Sequence, residues 1–301
     1  MIKHDRTVCR RNTLELVLLL LPFLLWFLIF VVYPSVNCFV LSFREQYNLL
    51  THSYQSTGLG NYADVIGDPY FRQAVHNTAI YSLITVPAAI VLSLFIALAL
   101  CSGLRFSALF QSAIFMPMVT SVSAVGYAWR LMFNNHYGVV NYLLKLFGLP
   151  AVQWTSDPKV TLGLMVTYGI WAMLPSTVLF FVNAISGIPQ AYIHAARADG
   201  AGPFRRFTRL VLPGIREVVV LLVFTNAITA IKTFDNLYPF FSGKPGPAYN
   251  FYTVVYYIYA NMQGPNIYGY GRAAAAAIIL LAILCTIMGV SLCARKLLKR
   301  G

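Results

Sequence analysis

Long apolar blocks alternate with shorter polar stretches along most of the sequence. A helix needs about 20 apolar residues to cross a hydrocarbon layer about 30 Å thick. Six blocks reach that length, and we predict that each forms a membrane-spanning helix. The predicted spans cover residues 14–43, 77–100, 108–133, 160–185, 218–241 and 272–294.

The first block resembles a signal peptide, because basic residues precede its apolar core. It is longer than the core of a signal peptide, however, and it lacks a small-x-small cleavage site. An uncleaved first span is therefore the interpretation that we adopt.

The composition agrees with a membrane location, since 58% of the residues are hydrophobic and only 10% are charged. Soluble domains average about 25% charged residues. Because the apolar residues form separate blocks, a membrane protein explains them better than a single soluble core. The predicted fold class is an all-α integral membrane protein with six transmembrane helices.

The net charge of +13 would suit a nucleic-acid-binding protein, but the positions of the basic residues favour a membrane protein. Most of them lie beside the ends of apolar blocks, as in loops retained on the cytoplasmic side. With a cytoplasmic N-terminus, 14 of the 22 Lys and Arg residues fall on that side and 7 on the other. We therefore predict cytoplasmic tails, residues 1–13 and 296–301, around a membrane domain of residues 14–295, and no nucleic-acid partner.

Cysteine and histidine residues show no spacing that would indicate a metal site or a disulfide framework. The five cysteines form no Cys-x-x-Cys pair, and the five histidines are scattered. No set of acidic and basic side chains converges at one depth of the predicted membrane domain. The sequence therefore predicts neither a metal site nor a catalytic residue.

The polar stretch between the fourth and fifth blocks predicts a short helix over Gln190–Arg197. Pro189 suits the first turn of a helix, where a missing N–H costs nothing. Small residues recur every three or four positions and give this helix a face with little side chain; they are Ala191, Ala195 and Ala198. Gly200, after Asp199, is expected to end the helix in the left-handed conformation.

A second short helix is predicted directly after the first. Phe204, Phe207 and Leu210 recur every third residue, so we expect them to pack on the membrane domain. Three arginines would then remain on the solvent side of this helix, facing phospholipid head groups or an acidic partner. These are Arg205, Arg206 and Arg209.

This polar loop, residues 186–217, resembles the EAA loop of binding-protein-dependent ABC permeases. The family pattern is Glu-Ala-Ala, two residues, Asp-Gly-Ala and a later Leu-Pro. His194 stands where the family has glutamate, and Arg197 lies within the matched stretch. The residues in register are Ala195, Ala196, Asp199, Gly200, Ala201, Phe207, Leu212 and Pro213.

Further segments resemble the carbohydrate-uptake branch of these permeases, the maltose type. They lie before the second span, in the third span and its exit, before the fourth span, and in the fifth and sixth spans. The matching residues are Gly58–Tyr62, Asp68-Pro69, Phe71, Asn77-Thr78, Met116-Pro117, Ser121, Trp129, Gly138, Asn141, Trp154, Asp157-Pro158, Phe234-Asp235, Tyr238, Gly269-Tyr270 and Ala273–Ala277.

The resemblance implies the type I, MetI-like permease fold and a location in the bacterial inner membrane. It implies a second homologous permease subunit, a pair of ATPase subunits and an extracytoplasmic solute-binding protein as partners, besides membrane lipid. ATP and Mg²⁺ would be bound by the ATPase, because this chain lacks the Gly-x-x-x-x-Gly-Lys-Ser/Thr phosphate-binding pattern and has no cofactor of its own. The implied solute is a sugar or a sugar-like molecule, with glycerol phosphate or a polyol as the alternative.

Two charges interrupt the fifth block. Lys232 and Asp235 are three residues apart, so a helix would place them on one face. Charges within a membrane usually face a bundle interior or a water-filled cavity. They could form a structural ion pair, or they could line a translocation path together with Asn226, which lies about two turns earlier. A proton-coupled carrier is a rival function, and Asp235 is its only candidate intramembrane carboxylate.

Overall fold

The computed structural model describes residues 6–103, 107–235, 237–241 and 243–300, with side chains described between residues 17 and 293. Arg105 and the basic side chains of the two predicted tails lie outside the described residues. The elements in chain order are α1 (Arg6–Phe27), a π-helical turn (Leu28–Val32), α2 (Tyr33–Ser42), β1 (Arg44–Glu45), β2 (Ser56–Thr57), α3 (Gly60–Gly67), α4 (Pro69–Cys101), α5 (Ser107–Val119), α6 (Val122–Met132), α7 (Val139–Leu146), α8 (Pro158–Ser186), α9 (Gln190–Ala198), α10 (Pro203–Arg206), a second π-helical turn (Phe207–Val211), α11 (Leu212–Ile231), a 3₁₀ turn (Pro247–Tyr249), α12 (Val254–Gln263) and α13 (Gly269–Arg300).

The chain divides into two compact units. One contains residues 1–66 and 260–279, and the other contains residues 67–259 and 280–301. The predicted all-α class holds for almost the whole described chain, because its two strands are only two residues long.

The first unit begins with a continuous apolar helix over Val17–Ser42, which is almost wholly exposed. Beyond it, β1 and β2 pair antiparallel. The carboxylate of Glu45 then accepts hydrogen bonds from the Ser56 hydroxyl and from the Gly60 backbone N–H. A Cβ on Gly58 or on Gly60 would lie 2.6 Å from Glu45 Oε1, so a side chain at either position would displace the Glu45 carboxylate. The Gly-Leu-Gly-Asn pattern therefore builds a tight turn before α3.

The second unit is built around α4, α8 and α11, which pack against one another. The buried side of α4 carries many small residues, which allow helices to approach closely in a membrane. Ala89, Ser93 and Ala97 are completely buried there. A Cβ on Gly169 of α8 would lie 3.0 Å from Thr85 Cγ2 of α4, so glycine is required at this crossing.

Five helices in the described part of the chain are long and apolar enough to cross a membrane. They are Val17–Ser42, Pro69–Cys101, Pro158–Ser186, Pro203–Ile231 and Gly269–Cys293. A sixth crossing exists if α5 and α6 together make one span, but these helices meet at an angle of 106°. The predicted third span over residues 108–133 is thus broken into two helices, and the count of six spans stays a prediction.

The break between α5 and α6 lies at Thr120 and Ser121. The backbone leaves the helix there, and Ser121 adopts φ −57° and ψ 128° immediately before α6. The Thr120 hydroxyl donates to the Met116 carbonyl, 3.1 Å away, which satisfies one of the acceptors at the end of α5.

The fifth span also differs from its prediction. Its helix begins at Pro203 and ends at Ile231, whereas residues 218–241 were predicted. The apolar side chains after Ile231 belong to a buried non-helical segment, since Leu237, Phe240 and Phe241 are all buried without forming a helix.

Candidate functional site

Helix α9 ends in the way that its sequence predicts. Gly200 has φ +71°, and its N–H donates to the Arg197 carbonyl over 3.1 Å. The N–H of Ala201 donates to the Ala196 carbonyl over 2.9 Å. This pair of bonds is the Schellman arrangement, in which a left-handed residue satisfies the last carbonyls of a helix. Pro189 is the residue before the helix rather than a member of its first turn.

The two faces of α9 differ in exposure. Ala191, Ala195 and Ala198 are exposed, as expected for a face that offers little side chain. His194 and Arg197 are also exposed, as is Asp199 after the helix. Ile193 and Ala196 are half-buried on the opposite side. The alanine face is therefore open to another molecule, while Ile193 attaches α9 to the rest of the unit.

The segment after α9 differs from the predicted second short helix. From Pro203 onwards α10, the π-helical turn and α11 run as one apolar helix, and exposed Pro213 lies in the first turn of α11. Phe204 is 79% exposed, so the prediction that it packs on the membrane domain was wrong. Arg205 and Arg209 are exposed as predicted, but the Nε atom of Arg206 is buried.

A close contact fixes the start of this long helix against the end of α8. A Cβ on Gly214 would lie 3.2 Å from Ile188 Cδ1, which leaves little room for any side chain. Ile188 lies between α8 and α9, so the glycine lets the base of the loop reach α11. The loop is consequently held at its base and exposed at α9.

Lys232 and Asp235 do not share a helix face, which corrects the basis of their predicted pairing. The helix ends at Ile231, and Lys232 follows as its C-cap residue. Both side chains are exposed, and no ion pair joins them within the described residues. They line a shallow cavity of about 200 Å³ together with Thr229 and Thr233. A role of Lys232 and Asp235 in a translocation path is therefore supported by their position in this cavity and not by helical spacing.

Asn226 is only 7% exposed and connects two helices of the core. Its Nδ2 donates to the Thr177 hydroxyl of α8 over 3.0 Å. The Thr177 hydroxyl in turn donates to the Met173 carbonyl over 2.8 Å. Asn226 thus makes a buried interhelical hydrogen bond in this conformation.

An aromatic cavity that sequence reasoning missed lies beside the break between α5 and α6. It has a volume of about 190 Å³, and Thr120, Tyr168 and Trp171 contribute to its lining. The ring of Trp129 lies 5.4 Å from that of Trp171 and 5.1 Å from that of Tyr168. The cavity is therefore a mostly apolar notch with an aromatic wall and the Thr120 hydroxyl group, next to irregular backbone. Its signal in the sequence was a pair of aromatic residues three apart on α8.

Several residues of the family-like pattern prove to be structural. Asn141 is buried, donates to the carbonyls of Asn135 and Val152, and accepts from the Trp154 indole over 2.8 Å. Asp157 caps α8 by accepting from the Lys159 N–H over 2.9 Å. These residues fold the connection between α6 and α8.

A second connection of this kind joins the start of α4 to the tyrosine-rich segment before α12. Asp68 accepts from the Tyr257 hydroxyl over 2.8 Å, and Asn77 donates to the Tyr249 carbonyl over the same distance. Burial raises the pKa of Tyr252 to about 12. Most of these tyrosines are thus packed against one another and not spread along a lipid interface.

The described residues contain no group of three or more His, Cys, Asp or Glu side chains that could hold a metal ion. The candidate site therefore consists of an exposed helix, α9, and of a mostly apolar, aromatic cavity within the same unit. The first could contact a partner, and the second could contact a solute.

Comparison with known proteins gives one family and a consistent set of relatives. A model of the family described as "Binding-protein-dependent transport system inner membrane component" matches residues 13–296. The arabinooligosaccharides transport system permease protein AraP of Halalkalibacterium halodurans is 30% identical over 272 residues, covering 89% of this chain and 84% of the relative. The lactose transport system permease protein LacF of Rhizobium radiobacter is 31% identical over 234 residues, 77% of each chain.

Solved structures give the same fold. A chain in the crystal structure of a bacterial alginate ABC transporter, in complex with an alginate pentasaccharide-bound periplasmic protein, superposes with a TM-score of 0.79. The two chains share 23% sequence identity, and the alignment covers 96% of each. The fold of this chain is thus that of a membrane subunit in an ABC transporter.

Proposed function

Because this chain belongs to the family of inner membrane components of binding-protein-dependent transport systems, we propose that it is the permease subunit of an ATP-driven importer for a sugar or a sugar-like solute. As a member of that family it is a multi-pass membrane protein with a transport role and not an enzyme. In the proposed system α9 transmits the ATPase cycle to the membrane domain.

The exposed alanine face of α9 is the observation that supports the proposed coupling to the ATPase. Ala191, Ala195 and Ala198 leave the helix backbone accessible, so α9 can enter a groove on another protein. The Schellman bonds at Gly200 hold the end of the helix, and Gly214 holds the base of the loop against Ile188. A helix supported at both places can transmit a displacement as a rigid body.

The partners follow from this arrangement. One such helix would engage one ATPase subunit, and a second homologous permease would present its own helix to the other. The ATPase pair would hold ATP and Mg²⁺, so this chain needs no cofactor. The distribution of Lys and Arg supports a cytoplasmic location for α9 and for both termini.

The solute class is supported by the relatives and by the aromatic cavity. The relatives are named for arabinooligosaccharide and lactose transport, and a chain of similar fold occurs in an alginate transporter. Trp171 and Tyr168 offer apolar ring faces, while Thr120 offers a hydroxyl. Such a mixture suits a molecule with both C–H surfaces and hydroxyl groups. Lys232 and Asp235 line a further polar cavity on the proposed path.

Transport would proceed by alternating access. A solute-binding protein would deliver the solute to the extracytoplasmic loops, and ATP would close the ATPase pair. The two ends of the path would then open in turn, because each bound partner stabilises one of two conformations.

Copurification tests the proposal. The tagged chain is coexpressed with a candidate second permease and with the ATPase, and the complex is assayed in liposomes for ATP hydrolysis and solute uptake. We expect Gly200→Trp to reduce uptake far more than hydrolysis, because a bulky residue distorts the end of α9. His194→Glu is the matched control on the same helix and should leave assembly intact. Normal uptake by Gly200→Trp, or failure of every candidate ATPase to associate, would contradict the proposal.

A further inference from the structure

A cavity of about 210 Å³ lies between α9 and the ends of the membrane helices. Leu98 and Cys101 at the end of α4, Ile185 of α8, and Leu210 and Val211 before α11 give it a mostly apolar lining. Arg197 and Arg206 supply the positive charge. Among the described residues that line this cavity, the charged side chains are these two arginines. The cavity is therefore apolar and cationic at once.

Arg206 is the unusual member of this lining. Its Nε atom is buried, and no described group of the chain accepts a hydrogen bond from it. A buried N–H of a charged group without an acceptor is costly, so such groups almost always have a partner. The neighbouring Arg205 carries the same charge on the same helical turn, but it is exposed to solvent. The lack of an acceptor therefore concerns Arg206 at the cavity and not the exposed Arg205.

The position of the cavity limits what can supply that acceptor. It lies where α4 and α8 end and where the apolar helix Pro203–Ile231 begins. Membrane helices end at the depth of the lipid headgroups, whichever side of the membrane this is. Basic pockets between helix ends are known to bind anionic headgroups.

We propose that this cavity binds one anionic phospholipid, with its phosphate on Arg206 and Arg197 and the first part of its acyl chain along Leu98 and Leu210. The phosphate supplies a negatively charged acceptor for the exposed part of the Arg206 guanidinium and for Arg197, and guanidinium groups form strong hydrogen bonds with phosphate. Free inorganic phosphate has no hydrocarbon, so it would make no favourable contact with the apolar lining of the cavity. The site is distinct from the transport activity and requires only that the chain span a membrane.

The geometry also separates this site from the proposed ATPase contact. Ile193 and Arg197 of α9 line the cavity and are four residues apart, so they lie on one face of the helix. Ala191, Ala195 and Ala198 lie on the opposite, exposed face. A lipid under α9 and a protein over it can therefore bind at the same time, and the lipid would support the helix from the membrane side.

Lipid titration of the purified chain in detergent tests the site. The chain is titrated with phosphatidylglycerol, with phosphatidylcholine and with inorganic phosphate, and binding is followed by native mass spectrometry and by the thermal unfolding midpoint. We expect phosphatidylglycerol to bind and to raise the midpoint, and the other two ligands to have little effect. Arg206→Gln should weaken phosphatidylglycerol binding about fivefold, the ratio expected for one basic contact at a membrane surface.

Two further variants make the result specific. Arg205→Gln removes the same charge from the adjacent exposed position, and its affinity should stay within about twofold of the unmodified chain. Ser102→Phe keeps both arginines but fills the cavity at its exposed rim, and it should reduce lipid binding as well.

Equal losses in Arg205→Gln and Arg206→Gln would mean a general surface charge effect and would overturn the proposal. Binding of inorganic phosphate as strong as that of the lipid would do the same. None of these outcomes bears on the transport proposal, because the titration requires neither ATPase nor solute.

Discussion

Two glycines of the loop after α9 allow the role of the left-handed cap to be measured directly. Gly200 has φ +71°, whereas Gly202 has φ −62° and ψ 165°, which any residue can adopt. No described atom lies within 4 Å of a Cβ added to either glycine. Gly200→Ala and Gly202→Ala therefore add the same methyl group to open space and differ in backbone conformation.

The expected magnitude follows from that conformation. An L-residue in the left-handed region costs about 1–2 kcal/mol relative to glycine. Both substitutions reduce the freedom of the unfolded chain by similar amounts, so the difference between the variants isolates the cost at Gly200. The hydrogen bonds that weaken are those donated by the N–H groups of Gly200 and Ala201.

Hydrogen exchange of the loop, followed by mass spectrometry, measures this cost. In Gly200→Ala the amides of residues 200 and 201 should exchange about fivefold to thirtyfold faster, because the opening free energy falls by about 1–2 kcal/mol. Gly202→Ala should exchange at nearly the original rate. Gly200→Asn should lie between them, since asparagine tolerates the left-handed region better than alanine.

Equal exchange in Gly200→Ala and Gly202→Ala would refute the reasoning, because the cap would then not hold the end of α9. A loss of protection spread over the whole unit would refute it too. That result would mean that the substitution unfolds more than the last turn of α9.

Three further outcomes are expected. Trp171→Leu should raise the transport KM for the solute in liposomes, while Trp26→Leu on the exposed first span should leave it unchanged. A double-mutant cycle with Asn226→Leu and Thr177→Val should give a coupling free energy of about 0.6 kcal/mol in detergent unfolding. If Asn226→Leu changes the transport KM more than Thr177→Val does, that result would support a place for Asn226 in the path. Hydrogen bonds from Ser56 and then from the Gly60 N–H lower the pKa of Glu45 below its usual 4.5, so they stabilise the turn above that pH and are lost as the pH falls through the lowered pKa. The protection of residues 44–60 against hydrogen exchange, taken relative to the intrinsic rate at each pH, should therefore fall in acid, and Glu45→Gln should remove that dependence.

The loop around α9 could be predicted closely because its rules are local. Proline before a helix and glycine after it act through the backbone of a few neighbouring residues. The location of Arg206 could not be predicted in this way. Helical spacing groups it with Arg205 and Arg209, and only the packing of α4 and α8 around the loop distinguishes the three.

The spans illustrate a different limit. Hydropathy located every apolar block, but it placed the end of the fifth span about ten residues too late, because Leu237, Phe240 and Phe241 extend the apolar pattern past the end of the helix. The aromatic cavity was missed for a related reason. Trp129 precedes Trp171 by a long stretch of sequence, and only folding brings their rings together.

Because of the break between α5 and α6, different parts of the surface of this chain need different surroundings. At the 106° bend the last carbonyls of α5 and the first N–H groups of α6 lack the partners that a continuous helix would supply. Thr120 satisfies one acceptor, and Val119 beside it is 90% exposed. Hydrocarbon cannot solvate such groups, so irregular backbone at this depth occurs only against protein or water. Lipid can therefore surround the outside of α1 and α2, but the α5–α6 bend must face water or protein.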